Sequence, residues 1–280
     1  MVRARRLPSA GMHAATRGGA GAIWYTPRPR TIQPRQRAGA RGYRAPDPAS
    51  PGQARRGRSR LHDPLVTDQT SSSLPALSVR ALHLWRGERH LLRGISFDLH
   101  AGELLQVVGP NGVGKSSLLR CACGLLPVES GEVAWNGRPI ERSRGEFHGA
   151  LAYLAHANAL KADLTALENL MFEVALRRDD VTREMCLDML ERLEIPACAD
   201  LHVRLLSAGQ RRRVALARVL LSGARLWILD EPTTNLDAAG IARVEQCMAE
   251  HLQGGGMILT AAHQLLLEGY AGARTLELQR

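Results

Sequence analysis

From residue 77 onward the apolar positions change their spacing several times, and each change predicts an element. LSVRALHLWRG (77–87) and HLLRGISFDLHAGE (90–103) alternate apolar and polar side chains in short runs broken by glycine, which predicts antiparallel strands with one solvated face. LLQVVG (104–109) is continuously apolar, as in a strand buried on both faces. GKSSLLRCACGLL (114–126) then takes helical spacing and stops near Gly124, and GEVAWNGRPI (131–140) reads as a hairpin turning at Asn136-Gly137. LAYLAHANALKADL (151–164) sets His156 beside an apolar strand. Thr165 and Glu168 stand in capping-box spacing and begin a helix through 178; a second helix (182–195) ends at Pro196; a third runs from an N-cap at Ser207 to Gly223. RLWILDE (225–231) and GMILTAAH (256–263) are buried strands separated by a helix at 238–252, and His263 ends the second of them. Strands alternating with helices predict a parallel sheet with crossover helices.

Charge is uneven along the 280 residues, which carry a formal net charge of +10. Residues 1–73 hold fourteen Arg, no Lys and three acids; the remainder holds 23 basic and 24 acidic side chains. The basicity therefore belongs to the N-terminal stretch. That stretch is rich in Arg, Pro, Gly, Ala and Ser and has no hydrophobic period, so it predicts an unfolded extension over 1–74 and a single domain over 75–280. An organellar transit peptide, a basic arm and translated sequence upstream of the true start all fit it. Only Lys115 and Lys161 are lysines, the bias of a GC-rich genome, which favours the third. The five cysteines show no metal spacing and read as reduced, packed thiols; no segment is long and apolar enough to cross a membrane.

The sharpest chemistry is Gly109-Pro110-Asn111-Gly112-Val113-Gly114-Lys115-Ser116, followed by Ser117. It matches G-x-x-x-x-G-K-[ST] between a buried strand and a helix start. There backbone N–H groups and the helix dipole face phosphates, Lys115 spans the β and γ phosphates and Ser116 ligates Mg²⁺. LWILD ends at Asp230, placed to hold Mg²⁺ through water, and Glu231, placed to polarise an attacking water.

Leu206-Ser207-Ala208-Gly209-Gln210 then resembles the LSGGQ signature of ATP-binding cassette (ABC) ATPases, with Ala208 the one departure. An ordinary Ser207 N-cap explains neither Gly209 nor Gln210. The resemblance implies an α/β ABC nucleotide-binding domain: a RecA-like P-loop core, an antiparallel β subdomain and a short helical subdomain over about 160–206. It also implies that this signature caps ATP held by a second copy, that Asp237 belongs to the D-loop of Asn235-Leu236-Asp237, that His263 contacts the γ-phosphate, and that Trp85 stacks on adenine. A strand tryptophan serves equally as core. GELLQVVGPNGVGKSSLLR, YLAHANALK with LTALENL, LSAGQRRRVALAR, LWILDEP and AAHQ together resemble the haem-exporter ATPases of cytochrome c maturation, the CcmA family, which carry histidine where most ABC ATPases have the Q-loop glutamine; His156 takes that place. The cofactors implied are ATP and Mg²⁺. The partners implied are a second copy and an integral, CcmB-like membrane subunit at the cytoplasmic face of the inner membrane, without nucleic acid. An ATPase subunit of another transporter and a nucleic-acid-associated ABC protein remain open alternatives.

Overall fold

The computed structural model describes Arg5, Arg6 and residues 76–279. Apart from those two arginines, the predicted extension lies outside the described residues. Arg5–Arg6 form a two-residue strand, β1, paired antiparallel with a strand near the other end of the chain, opposite Thr275 and Arg274.

Two sheets organise the rest. β2 (Leu77–Arg86), β3 (Arg89–Leu99), β5 (Ser130–Trp135) and β6 (Arg138–Pro139) form an antiparallel sheet in the order β3-β2-β5-β6. The β5–β6 turn has Asn136 at φ 49° and Gly137 at φ 74°, the left-handed pair that a two-residue hairpin needs. The second sheet contains β1, β4 (Leu104–Val108), β7 (Leu151–Leu154), β8 (Leu226–Asp230), β9 (Met257–Ala261) and β10 (Ala273–Glu277) in the order β1-β10-β4-β9-β8-β7, with all pairs beyond β1 parallel.

The alternation of side chains through these central strands divides the core in two. Leu105, Val107, Leu226, Ile228, Met257 and Leu259 face the antiparallel sheet and α1 (Lys115–Ala122). Leu104, Trp227, Leu229 and Ile258 face α3 (Ala166–Ala175), α4 (Arg183–Arg192), α5 (Ala208–Leu221) and α6 (Ala238–Gln253). These strands are apolar almost throughout, as strands covered on both faces require, and the polar side chains inside β4 and β9, Gln106 and Thr260, are buried and hydrogen-bonded.

Most helix ends follow the sequence reading. Thr165 and Glu168 close a capping box at the start of α3, Ser207 and Gln210 close another at the start of α5, and Gly223 leaves α5 at φ 66°. Three strands or α-helices were not anticipated: β1, which lies in the stretch read as an unfolded extension, α2 (Arg144–Ala150), only seven residues long with Phe147 as its buried side chain, and β10. The presence of β10 also corrects the placing of His263. β9 ends at Ala261, His263 lies in the loop two residues on, and another strand of the sheet follows. All five cysteines are buried free thiols, and burial pushes that of Cys121 up to about 11. Among the described residues no helix is long and apolar enough to cross a membrane.

His251, near the end of α6, lies flat on the Trp227 ring at 3.7 Å between centroids and 6° between planes, with Nε2 3.2 Å from the Arg225 carbonyl. Burial lowers its pKa from 6.5 to about 4, against smaller raising contributions from hydrogen bonds to the Arg225 and Met257 backbone. Between these values the unfolded chain binds a proton that the folded chain refuses, so stability falls as pH drops through that window. The loss amounts to on the order of 2–3 kcal/mol at the lower end. We expect thermal unfolding measured from pH 7 to 4.5 to show a steeper fall in Tm for the wild type than for His251→Gln; parallel curves would exclude this histidine as the source.

Candidate active site

The phosphate loop joins β4 to α1, and its backbone is possible only with glycine at certain positions. Gly109 has φ 142°, and a Cβ there would sit 2.5 Å from the Leu278 carbonyl oxygen; Gly112 and Gly114 are also left-handed, at φ 72° and 114°. Gly114 is the N-cap of α1, with no side chain covering the helix start. Lys115 is buried and its Nζ donates to the carbonyls of Gly109 at 2.7 Å and Pro110 at 3.2 Å, so the loop closes around its own ammonium.

Ser116, one residue on, donates its hydroxyl to Asp230 Oδ1 at 3.0 Å, linking α1 to the end of β8. Asp230 is 1% exposed, and its other oxygen, Oδ2, is buried without a hydrogen-bond partner among the described residues. Burial raises the Asp230 pKa, and the Ser116 hydrogen bond opposes that. A hydroxyl and an under-coordinated carboxylate side by side form a hard-oxygen donor set that fits Mg²⁺.

Glu231 leaves β8 at φ 53°, a left-handed conformation costing a non-glycine residue about 1–3 kcal/mol. The turn aims its carboxylate at three side chains. Oε1 lies 3.1 Å from His263 Nε2, Oε2 lies 3.6 Å from His156 Nδ1, and Oε2 accepts from Thr234 Oγ1 at 3.1 Å. Both histidines are well exposed, with 64% and 61% of their side chains open, while Glu231 is 19% open, so the imidazoles rim the carboxylate. Glu231 and His263 share an open cleft with Thr233, Thr234, Ile241 and Gln264.

Three buried polar residues that the sequence reading did not single out hold this arrangement. Asn169 on α3 accepts from Lys161 N at 2.8 Å and donates to the carbonyls of Lys161 and Thr165, clasping the loop that follows His156. Gln106 in β4 donates to the Gln264 carbonyl at 2.6 Å and accepts from Leu266 N at 3.0 Å, fixing the segment after His263. Arg212 on α5, 2% exposed, bonds through all three guanidinium nitrogens: to the Asp230 and Glu231 carbonyls at 2.6 Å each, to the Pro232 carbonyl at 3.3 Å, and to the Ala155 carbonyl and Asn158 Oδ1 at 2.9 Å each. Burial lowers its pKa to about 10, leaving it charged at neutral pH. Its sequence neighbours offered one signal only, an arginine at an inward position of an otherwise apolar helix face.

Within this chain the signature segment has causes beyond a lone Ser207 N-cap. Gln210 Oε1 accepts from Ser207 N at 2.8 Å, so the capping box accounts for Gln210; a Cβ on Gly209 would lie 2.7 Å from the Asn235 carbonyl oxygen, so the close approach of that loop accounts for Gly209. Both residues therefore have reasons within this chain. Asp237 is the N-cap of α6, accepts from Gly240 N at 3.0 Å and pairs with Arg213 at 2.7 Å. Trp85 is not core: it is 45% exposed and stacks on His90, 4.2 Å between centroids and 6° between planes.

The ABC transporter family pattern matches residues 92–234. The cytochrome c biogenesis ATP-binding export protein CcmA of Aromatoleum aromaticum is 48% identical over 193 residues, covering 69% of this chain and 90% of that protein. The chain belongs to the CcmA family of ABC ATPases. The CcmA of Escherichia coli O157:H7 is 46% identical over 190 residues, covering 68% of this chain and 90% of its own length. An ABC transporter ATP-binding protein from Pyrococcus furiosus superposes with a TM-score of 0.64 at 26% identity, covering 72% of this chain and 96% of that one. The dimeric bacterial ABC transporter cassette MJ0796 shares the fold, with a TM-score of 0.64 at 23% identity over 73% of this chain and 97% of its own. As an ABC ATPase this CcmA-family chain binds and hydrolyses ATP.

Proposed function

We propose that this ATPase hydrolyses Mg²⁺-bound ATP at the edge of the parallel sheet and thereby drives a CcmB-like inner-membrane partner in haem export or release of a haem-loaded chaperone, from a peripheral position on the cytoplasmic face. The observation that carries the chemistry is the convergence of Ser116, Asp230, Glu231, His263 and His156 beside the phosphate loop. The curated relatives, named for cytochrome c biogenesis and export, carry the pathway. Residues 75–280 are taken as the ATPase domain and 1–74 as an N-terminal extension, of which Arg5–Arg6 add strand β1 to the domain's sheet.

ATP phosphates lie along 109–117, where the backbone N–H groups at the start of α1 receive negative charge. Lys115 Nζ, held inside the loop by the Gly109 and Pro110 carbonyls, needs only a local swing to meet the β and γ phosphates. Ser116 and Asp230 would hold Mg²⁺, which when bound neutralises phosphate charge. Glu231 takes the proton of the attacking water; its second oxygen is kept oriented by the Thr234 hydroxyl, and His263 lies within hydrogen-bond distance of the first. His156 stands at the Q-loop place and reaches toward the same water, and His263 toward the γ-phosphate. Trp85 offers an exposed aromatic face for adenine. A second copy arranged head to tail supplies Leu206, Ser207, Ala208, Gly209 and Gln210 at the start of its α5, with Asp237 near the shared seam.

Glu231→Gln should bind ATP normally and lose about 10²–10⁴-fold in turnover. It should also accumulate an ATP-dependent dimer in gel filtration; full activity would remove Glu231 as the base. Because glutamine, like neutral imidazole, both donates and accepts, His156→Gln should keep substantial kcat, whereas His156→Ala should lose most of it at unchanged Tm. A stable alanine protein with wild-type turnover would leave His156 without a role in hydrolysis. Deleting the gene in its source organism should abolish holocytochrome c formation, restored by the wild-type chain and not by Glu231→Gln; normal cytochrome c in the deletion strain would exclude the pathway.

A further inference from the structure

Glu231 and His156 lie on separate strands' ends, each in backbone that the strand itself does not hold. Glu231 has left a fully buried strand at φ 53°, and its own N–H is bonded to the Ala261 carbonyl at 2.7 Å. The carbonyl side of that turn is held by Arg212, through Asp230 O, Glu231 O and Pro232 O. His156 follows β7 after Ala155, and the same guanidinium holds the Ala155 carbonyl and Asn158 Oδ1, with the His156 carbonyl at 3.5 Å. No other side chain bonds both turns among the described residues. The planar fork sets the angle between the two groups of acceptors, which a flexible point charge would not.

We propose that Arg212 is a positioning residue of the hydrolytic site: it touches neither phosphate nor water and fixes the Glu231 and His156 turns relative to each other. This rests on the reading of those two residues given above. Arg212 has no aqueous face and its acceptors are almost all main-chain carbonyls, so its contribution depends on geometry rather than on pairing with a carboxylate. Misplacing a catalytic group by about 1 Å costs on the order of 10²-fold in rate while leaving distant ligand contacts intact.

The test uses the full chain, alone and bound to membranes of its source organism, as wild type, Arg212→Lys, Arg212→Gln and Arg212→Met. The lysine retains charge and three donors from one point; the glutamine retains two; methionine retains none and serves only if it folds. We expect Arg212→Lys to lower kcat about tenfold and Arg212→Gln about 10²-fold, with KM for ATP within about threefold of wild type and the Arg212→Lys Tm near wild type. A double-mutant cycle with His156→Ala reads the coupling: the combined loss should be clearly smaller than the product of the single losses. Arg212→Lys with wild-type kcat, a rate loss that tracks Tm or KM, or losses that multiply would overturn the proposal. If His156→Ala alone turns over normally, the role of His156 falls. Arg212→Lys then decides by itself: a kcat loss at unchanged KM supports positioning through Glu231, and an unchanged kcat overturns it.

Discussion

Parallel pairing of β4, β9, β8 and β7 is the constraint from which the site follows. In this register Leu104 faces Ile258, Ile258 faces Trp227, and Trp227 faces Ala152, so four strands run the same way and finish along one edge. The phosphate loop leaves the first, the His263 segment the second, the Asp230–Glu231 turn the third and the His156 turn the fourth. Residues more than a hundred positions apart become neighbours because each strand points its carboxyl end the same way, which is where ligands of open parallel sheets gather. Two apolar layers hold that edge in register. The strands bury both faces, and slippage by one residue would exchange the layer that packs on α1 for the layer that packs on α5 and α6.

How much of this is legible in the sequence depends on the length of chain over which each signal acts. The phosphate loop, the LWILD strand, the Asn136-Gly137 hairpin and the capping boxes at Thr165 and Ser207 are local, since their cause lies within a few residues, and each stands where the pattern places it. The short α2 has one buried anchor, Phe147, too little for a helical period to register. The roles of Asn169, Gln106 and Arg212 are not legible for a different reason. A buried polar side chain is recognised by its hydrogen-bond partners, the farthest of which lie 8, 160 and 57 residues away. Gly209 and Gln210 show the converse: an intermolecular argument was read from the motif while intramolecular causes, the Asn235 carbonyl and the Ser207 N–H, already require them.

Charge at the edge is balanced in an unusual order. Asp230 is buried with a raised pKa, and the buried guanidinium of Arg212 contacts its main-chain carbonyl and not its carboxylate. The carboxylate thus keeps Oδ2 unshared, which favours a hard cation, while the guanidinium spends its donors on backbone. Had the two formed an ion pair, the oxygen set would have been neutralised internally and the turn left without support.

Gln106 carries a consequence for motion. Its amide uses both ends on the stretch after His263, donating to Gln264 O and accepting from Leu266 N, from the middle of the strand that ends in the phosphate loop. That stretch has no regular secondary structure, yet its Leu266 N–H is sealed by a side chain inside a buried central strand of the sheet. Its deuterium uptake should therefore be governed by opening of the sheet rather than by fluctuation of the loop, so the histidine segment belongs, by exchange rate, to the rigid core.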